Sequence, residues 1–259
     1  METSVPTGDD DRRIALPGTQ NLRDLGGYPA ADGNVRWRTL LRSDALHRLD
    51  DAGRAALSGL GLRTVIDLRT DREVEAAPSA LDGTGAATFH VPLFSDEAIS
   101  RLPPERAAIY RYMIDDCGTA IAEAIGRLCA AGALPGLIHC TAGKDRTGLV
   151  VALVLDVIGV PDDLIAADYA MSAAGVDPAA ARAIRRVRAA SGVGRWLDLG
   201  ALGASPRVIT TALARVRGQA GSAAGYLARH GLTGPELDRL RGALVTGTGR
   251  TDARPAERR

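Results

Sequence analysis

The amino-acid sequence predicts an α/β fold in which a central, mostly parallel sheet is flanked by helices. Four short apolar runs alternate with segments of helical composition, and this alternation is typical of parallel strands joined by helical crossovers. The chain has 259 residues, of which 46% are hydrophobic, so it is long enough to bury one large core. From residue 162 to residue 245 the composition is almost entirely helical, and we expect this helical C-terminal half to form a lid.

Individual strands and helices are predicted where a periodic run is bounded by turn residues. The strands are expected at 36–41, 64–68, 88–93 and 137–140. The helices are expected at 50–60, 119–131 and 148–158, each followed by a glycine stop signal. Residues 1–13 and 247–259 are polar, charged and aperiodic, which predicts flexible tails around a single domain at 14–246.

The charge balance of the chain excludes one class of partner. The sequence holds 32 basic and 31 acidic residues, which gives no basic field for binding nucleic acid. The N-terminus lacks a signal-peptide pattern, and the longest apolar run, 149–155, is far shorter than a membrane span. These patterns predict a cytoplasmic protein without stable membrane insertion, and they leave open secretion by a route that needs no cleaved signal.

The cysteines and histidines do not form a structural framework. Cys117, Cys129 and Cys140 are an odd number without framework spacing, which indicates reduced thiols. The four histidines are scattered and no CxxC pattern occurs, so we predict no metal site. Cys117 and Cys129 are interpreted as packed thiols, with protection of Cys140 through a reversible disulfide as the alternative.

Reactive side chains are concentrated in one contiguous segment, residues 139–148, which reads HCTAGKDRTG. A strand is predicted to end at Cys140 and a helix to begin near Arg146. Backbone N–H groups and the positive end of a helix dipole then surround the thiol. Such an arrangement binds phosphate and favours the thiolate, which is the attacking form of cysteine.

The spacing of this segment assigns a role to each side chain. Cys140 is the predicted nucleophile, and Arg146, six residues later, is placed to grip two phosphoryl oxygens through its planar fork. Thr147 is expected to donate its hydroxyl to the thiolate when a phosphocysteine breaks down, and His139 is expected to orient the loop. The residues expected to surround the phosphate are Thr141, Ala142, Gly143 and Lys144.

With His139-Cys140 followed at this spacing by Arg146-Thr147, the segment resembles the signature loop of the cysteine-dependent protein-tyrosine and dual-specificity phosphatases. The full HCTAGKDRTG is similar to the loop of a subfamily of mycobacterial tyrosine phosphatases and atypical lipid phosphatases. Further matches extend the resemblance over about residues 14–245. The resemblance implies a protein-tyrosine-phosphatase-like fold and phosphoester hydrolysis through a phosphocysteine, with neither a metal nor an organic cofactor.

Cleavage of a phosphoester leaves a basic oxygen, so a general acid is expected near the thiol. The resemblance favours Asp145, inside the loop, and after it Asp67, at the end of a predicted strand. The alternative for Asp67 is an ion pair with Arg69, and Asp115 and Asp116 are interpreted as a solvated helix end.

Arginine-rich features elsewhere in the chain have alternative interpretations. Arg23, Arg69 and Asp71 are predicted to form structural ion pairs rather than to line the pocket. A helical pattern carries arginines along one face, which is predicted to be solvated, with a lid that collects anionic substrates as the alternative. These arginines are Arg182, Arg185, Arg186 and Arg188.

The predicted function is hydrolysis of phosphotyrosine, and also of phosphoserine, phosphothreonine or phosphoinositides. The expected partner is therefore a phosphorylated protein, or a phosphorylated lipid or small molecule. The alternative function is that of a small-molecule phosphomonoesterase in a biosynthetic pathway. A sulfurtransferase also cradles a cysteine but would form thiocyanate from cyanide, and an inactive binding module would show no turnover. Lys144 is the only lysine among 32 basic residues, and we interpret it as a marker of substrates with more than one phosphate.

Overall fold

A computed structural model describes residues 12–102, 105–173, 182, 186 and 204–247. In these residues the chain forms seven strands: β1 (Arg23–Asp24), β2 (Pro29–Ala30), β3 (Gly33–Asn34), β4 (Leu40–Ser43), β5 (Thr64–Asp67), β6 (Ala87–His90) and β7 (Gly136–His139). The helices are α1 (Asp51–Ser58), α2 (Asp71–Ala76), α3 (Asp96–Arg101), α4 (Arg106–Asp116), α5 (Gly118–Cys129), α6 (Asp145–Val157), α7 (Asp162–Ala170), α8 (Pro206–Ala220), α9 (Ala223–Arg229) and α10 (Gly234–Leu244).

Five of the strands form the central sheet, in the order β1-β4-β7-β5-β6. The pairs β4–β7, β7–β5 and β5–β6 are parallel, and β1 is antiparallel to β4 at one edge. The predicted α/β fold with a mostly parallel sheet is therefore confirmed. Ser43, His139 and Asp67 lie side by side in register at the ends of the three middle strands. Because parallel strands end at the same edge, the three loops that follow them converge there.

Helices cover both faces of the sheet, and each face has its own apolar cluster. Ile138 of β7 belongs to the larger cluster, together with residues of α5 and of the almost wholly buried α6. Its neighbour Leu137 belongs to the smaller cluster, together with Leu57 of α1. Adjacent strand residues point to opposite faces, so β7 contributes to both clusters and is fixed at the centre of the domain.

Some predicted boundaries differ from those in the structure, and the largest difference has a physical reason. The strand expected at 36–41 is β4, which begins only at Leu40. Arg38 has a left-handed φ of 56°, and its N–H donates to the Asp24 carboxylate at 2.7 Å, so the chain turns before the strand starts. The helix expected at 148–158 is part of α6, which begins at Asp145, close to the start near Arg146 expected from the loop. Strands β1–β3 and helices α2–α4 lie in segments without a predicted element.

The C-terminal half is helical, as predicted, with α7 and α8–α10 packed on the sheet domain. Arg182 and Arg186 are helical and exposed, whereas Arg185 and Arg188 lie outside the described residues, as do residues 174–181, 183–185 and 187–203 of the segment expected to form a lid. The two predicted tails also fall almost entirely outside them. Among the helices described, none is long and apolar enough to cross a membrane.

Candidate active site

The reactive segment forms the loop between β7 and α6, at the edge where the middle strands end. Cys140 follows β7 directly and is buried, with 2% of its surface exposed. Gly143 has a left-handed φ of 64°, and a Cβ at this position would lie 2.3 Å from the carbonyl oxygen of Ser43. Both the backbone conformation and the close approach to β4 therefore require glycine.

Three consecutive carbonyl groups of the loop are bonded to residues outside it. The carbonyl of Thr141 accepts from a backbone N–H just after β4 at 3.2 Å. The side-chain amide of Asn21 donates to the carbonyls of Ala142 and Gly143 at 3.1 and 3.0 Å. Arg42 donates from Nη2 to the Gly143 carbonyl at 2.7 Å. The carbonyl side of the loop is thus tied to the surrounding domain.

This anchoring sets the direction of the loop amides. In a trans peptide the N–H points opposite to the C=O of the same peptide plane. The N–H groups of Ala142, Gly143 and Lys144 therefore point away from the anchored carbonyls and toward the interior of the loop. Successive N–H groups turned to one side of a loop before a helix form an anion-binding concavity. The loop thus has the geometry of an anion-binding site beside Cys140.

Behind the loop, a buried ion-pair cluster holds Arg42 in place. Asp168 of α7 accepts from Arg23 at 2.9 Å and from Arg42 at 2.5 Å, and all three side chains are buried. Burial raises the pKa of Asp168, but the positive charges of Arg23 and Arg42 outweigh it and hold that pKa below its usual range. The predicted structural ion pair of Arg23 is confirmed, and its partner Asp168 links α7 to the catalytic loop.

Arg146 is held by Glu73, a residue that the sequence patterns did not single out. The carboxylate accepts from Nη1 of Arg146 at 2.5 Å and from Nη2 at 2.8 Å, and it also accepts from the Thr141 hydroxyl. Glu73 is completely buried. Burial raises the pKa of Glu73, but the Arg146 charge and its hydrogen bonds outweigh it and lower the pKa to about 2. The carboxylate is therefore ionised and fixes one edge of the guanidinium.

The position of Glu73 is set by a capping box at the start of α2. Its carboxylate accepts from the N–H of Thr70 at 2.9 Å, and the Thr70 hydroxyl accepts from the N–H of Glu73 at 3.3 Å. The pattern Thr-x-x-Glu is a sequence signal for such a helix start. It identifies the helix and the capping role of Glu73, although it gives no indication of the contact with Arg146.

Asp145 occupies the first turn of α6 and is partly exposed at the mouth of the loop. Its Oδ1 accepts from the hydroxyl of Tyr169 at 3.1 Å and lies 3.7 Å from Nε of Arg106. Its Oδ2 lies 3.8 Å from Nζ of Lys144, which is itself buried. The carboxyl group therefore stands beside the thiol loop among groups that donate hydrogen bonds or carry positive charge.

Asp67 lies on the other side of the loop, where it is paired with Arg69 at 2.6 Å. Burial raises the pKa of Asp67, whereas its contacts with His139 and Arg69 lower it well below its usual range. His139 is buried beside it, and burial lowers the pKa of the imidazole to about 4. The ion pair named as the alternative for Asp67 is therefore present, and His139 is neutral at physiological pH.

The remaining candidates are placed as follows. Thr147 is buried in the first turn of α6, and its hydroxyl has no hydrogen-bond partner among the described residues. Cys117 and Cys129 are buried free thiols, and burial raises their pKa values to about 12 and about 11. Asp115 pairs with Arg215 on the surface near the end of α4, as expected of a solvated helix end. The described part of the chain contains no cluster of His, Cys, Asp and Glu that could hold a metal.

The loop anchored at the sheet edge has the layout expected of the protein-tyrosine phosphatases. The sequence profile of the tyrosine phosphatase family matches residues 14–246, and the chain belongs to this family. It is similar to the triple specificity protein phosphatase PtpB of Mycobacterium tuberculosis, with 34% identity over 274 aligned positions that cover 89% of this chain and 98% of that protein.

A second curated relative agrees with this class. A tyrosine-protein phosphatase of Nostoc commune is 31% identical over 219 positions, covering 78% of this chain and 72% of its own length. The crystal structure of TpbA from Pseudomonas aeruginosa aligns with 61% of this chain and 89% of its own, with a TM-score of 0.32 and 20% identity. The predicted protein-tyrosine phosphatase class is confirmed by the family match and the curated relatives.

Proposed function

We propose that this phosphatase hydrolyses phosphotyrosine through a phosphocysteine at Cys140, and that it also accepts phosphoserine, phosphothreonine and phosphoinositides. The observation that carries the chemistry is the anchored loop, which surrounds a buried thiol with inward N–H groups and with an arginine fixed by Glu73. The wider substrate range is supported by the similarity to a relative named a triple specificity phosphatase.

In the first step the Cys140 thiolate attacks phosphorus. The S–P bond forms while the ester O–P bond breaks, and its electron pair goes to the leaving oxygen. Arg146 and the loop amides stabilise the charge that spreads over the three other phosphoryl oxygens. Asp145 donates its proton to the leaving oxygen, which departs as a neutral hydroxyl.

In the second step water attacks the phosphocysteine. The S–P bond breaks, and its electron pair returns to Cys140 as a thiolate, which accepts a hydrogen bond from the Thr147 hydroxyl. Asp145, now ionised, takes one proton from the attacking water and is restored as an acid. Inorganic phosphate is released, and no further reactant is required.

The ion pair of Asp67 and the exposure of Asp145 support Asp145 as the acid. Asp67 is ionised in its ion pair with Arg69, so it holds no proton to donate at neutral pH. We assign to Asp67 a positioning role, in which it fixes Arg69 and His139 behind the loop. Asp145 is partly exposed at the loop mouth, where a substrate oxygen can reach it.

Replacing Cys140 by serine tests the nucleophile. The Cys140→Ser variant should lose turnover of p-nitrophenyl phosphate but retain binding of tungstate, an oxyanion held by hydrogen bonds alone, because the loop amides and Arg146 remain. Cys129→Ser, a change at a buried thiol of α5, is the matched control and should keep wild-type turnover. Retained turnover in Cys140→Ser would refute the proposed mechanism.

A substrate panel tests the proposed range. It compares a phosphotyrosine peptide, a phosphoserine peptide and a phosphoinositide by kcat/KM, with the Cys140→Ser variant as the blank. Lys144 and Arg106 place two cations beside Asp145, which favours substrates that carry further negative charge. Turnover restricted to the tyrosine peptide would refute the wider range while leaving the phosphatase mechanism in place. Thiocyanate formation from cyanide and thiosulfate as the sulfur donor, measured in parallel, would support a sulfurtransferase instead.

A further inference from the structure

Two buried tyrosines reach the carboxyl group of Asp145 from different helices. Tyr169 of α7 donates to Oδ1 of Asp145 at 3.1 Å. Tyr110 of α4 donates to the Tyr169 hydroxyl at 3.0 Å, and the two rings meet edge to face. Both side chains are almost completely buried. The contact is therefore formed within the packed interface of α4, α6 and α7 rather than on a mobile surface.

The sequence of α6 leaves space for this contact. Gly148 lies three residues after Asp145, on the same face of the helix. A Cβ at Gly148 would lie 2.7 Å from Cδ2 of the Tyr169 ring. The absence of a side chain at Gly148 thus allows the Tyr169 ring to lie against α6. The Tyr169 hydroxyl then reaches Asp145, one turn closer to the N-terminus of the helix.

Both tyrosines remain hydrogen-bond donors over the working pH range. Burial raises the pKa of Tyr169 and that of Tyr110, so neither hydroxyl ionises under assay conditions. Because Oδ1 of Asp145 accepts a hydrogen bond from Tyr169, the proton of the protonated carboxyl group is carried by Oδ2. Asp168, the residue before Tyr169, reaches Gly143 through Arg42, so α7 contacts both the loop and the acid.

We propose that Tyr169 is a positioning residue for the general acid, with Tyr110 supporting it from behind. The Tyr169 hydroxyl holds Oδ1 of Asp145, so that the Oδ2–H group faces the leaving oxygen of the substrate. When the ester O–P bond breaks, the Oδ2–H bond breaks with it, the proton passes to the leaving oxygen and its electron pair stays on Asp145. This inference rests on the proposed function of Asp145 as the acid.

The test is the dependence of kcat/KM on the leaving group. Phenolate is a strong base that needs a proton, whereas p-nitrophenolate leaves as a stable anion. Loss of one hydrogen bond corresponds to about a threefold to tenfold change. We expect Tyr169→Phe to lower kcat/KM by about that factor for phenyl phosphate and to change it less than about twofold for p-nitrophenyl phosphate.

The matched control is Tyr226→Phe, which removes another buried hydroxyl, one bonded to the Ile114 carbonyl at 2.8 Å. It should leave the ratio of the two kcat/KM values unchanged. Tyr110→Phe should shift the ratio in the same direction as Tyr169→Phe but by less, because the Tyr110 hydroxyl lies 3.4 Å from Oδ1 of Asp145 and makes its shorter contact, 3.0 Å, with the Tyr169 hydroxyl. This second variant keeps the proposal testable if Tyr169→Phe does not fold.

Asp145→Asn separates failure of the inference from failure of the proposed function. If Asp145→Asn lowers kcat/KM equally for both substrates, Asp145 is not the acid, and both the acid assignment and the positioning role of Tyr169 are wrong. A second outcome is that Asp145→Asn lowers kcat/KM for phenyl phosphate alone while Tyr169→Phe lowers kcat/KM equally for both substrates. In that case the acid assignment holds and the positioning role of Tyr169 is overturned. If both variants are selective for phenyl phosphate, the positioning role is supported.

Discussion

Glu73 offers a sharp test of how the catalytic arginine is positioned. The Glu73→Gln variant keeps the volume of the side chain and one carbonyl acceptor, but it replaces the other carboxylate oxygen with an amide NH₂ group. In the structure both carboxylate oxygens accept from Arg146, at 2.5 and 2.8 Å. One of these contacts would become two donors facing each other, so the guanidinium has to move.

The magnitude follows from the burial of the pair. Removing one partner of a buried ion pair lowers the free energy of unfolding by about 3–5 kcal/mol. Because glutamine retains one acceptor, we expect a loss of about 3 kcal/mol for Glu73→Gln. In a domain of this size each kcal/mol lowers Tm by about 2–4 °C, so Tm should fall by roughly 6–12 °C. Displacement of a catalytic group by about 1 Å lowers the rate roughly 10²-fold, so we expect kcat/KM to fall by this factor when the Arg146 guanidinium moves.

Thermal unfolding and p-nitrophenyl phosphate kinetics measure the two effects separately. The kinetics are recorded well below the Tm of the variant, so that unfolding does not contribute. Glu236→Gln is the matched control because Glu236 occupies the same capping-box position in α10 but is only partly buried and lies outside the catalytic loop. It should keep wild-type kcat/KM. Wild-type kcat/KM in folded Glu73→Gln would refute the claim that this carboxylate positions Arg146.

Acid titration gives a second readout for the same pair. The pKa of Glu73 is lowered from an ordinary 4.5 to about 2 in the folded protein. Its contribution to the free energy of unfolding is therefore complete above pH 4.5 and is lost as the pH falls toward 2. The stability difference between the wild type and Glu73→Gln should shrink over this interval. A difference that stays constant over it would contradict the ion pair.

Three further substitutions test other parts of the site. Lys144→Ala should lower phosphoinositide turnover more than p-nitrophenyl phosphate turnover, and an equal loss in kcat/KM would reduce Lys144 to a loop-shaping residue. Gly143→Ala places a Cβ 2.3 Å from the Ser43 carbonyl, so vanadate binding and turnover should both be lost; retained vanadate affinity would contradict the loop geometry. Asp67→Asn leaves Arg69 buried without its anion and should lower Tm by roughly 6–20 °C, with equal losses for phenyl and p-nitrophenyl phosphate. A selective loss for phenyl phosphate would transfer the acid role to Asp67.

The catalytic loop could be predicted from the sequence because its chemistry is contiguous. Cys140 and Arg146 lie within one strand-loop-helix segment, so their spacing alone indicates their relation. The parallel strands were also predictable, since β5 and β7 are short apolar runs bounded by turn residues. The start of β4 was not, because it depends on a turn at Arg38 that is stabilised by Asp24 from another strand.

The groups that hold the loop could not be predicted because they lie far away in sequence. Glu73 precedes Arg146 by 73 residues, and Asp168 follows Arg42 by 126 residues. Charged residues of these types are usually exposed, and only the packing of α2 and α7 against the sheet edge buries them. The acidic residues that matter most to positioning therefore carry no local pattern that distinguishes them from surface residues.

Trapping of the covalent intermediate tests the central claim most directly. The wild-type enzyme is mixed with a phosphotyrosine peptide, quenched during turnover, digested and analysed by mass spectrometry. We expect one phosphoryl group on the peptide that contains Cys140, and none on that peptide from the Cys140→Ser variant. A phosphoryl group on another residue, or turnover without any phosphorylated enzyme, would contradict catalysis through a phosphocysteine at Cys140.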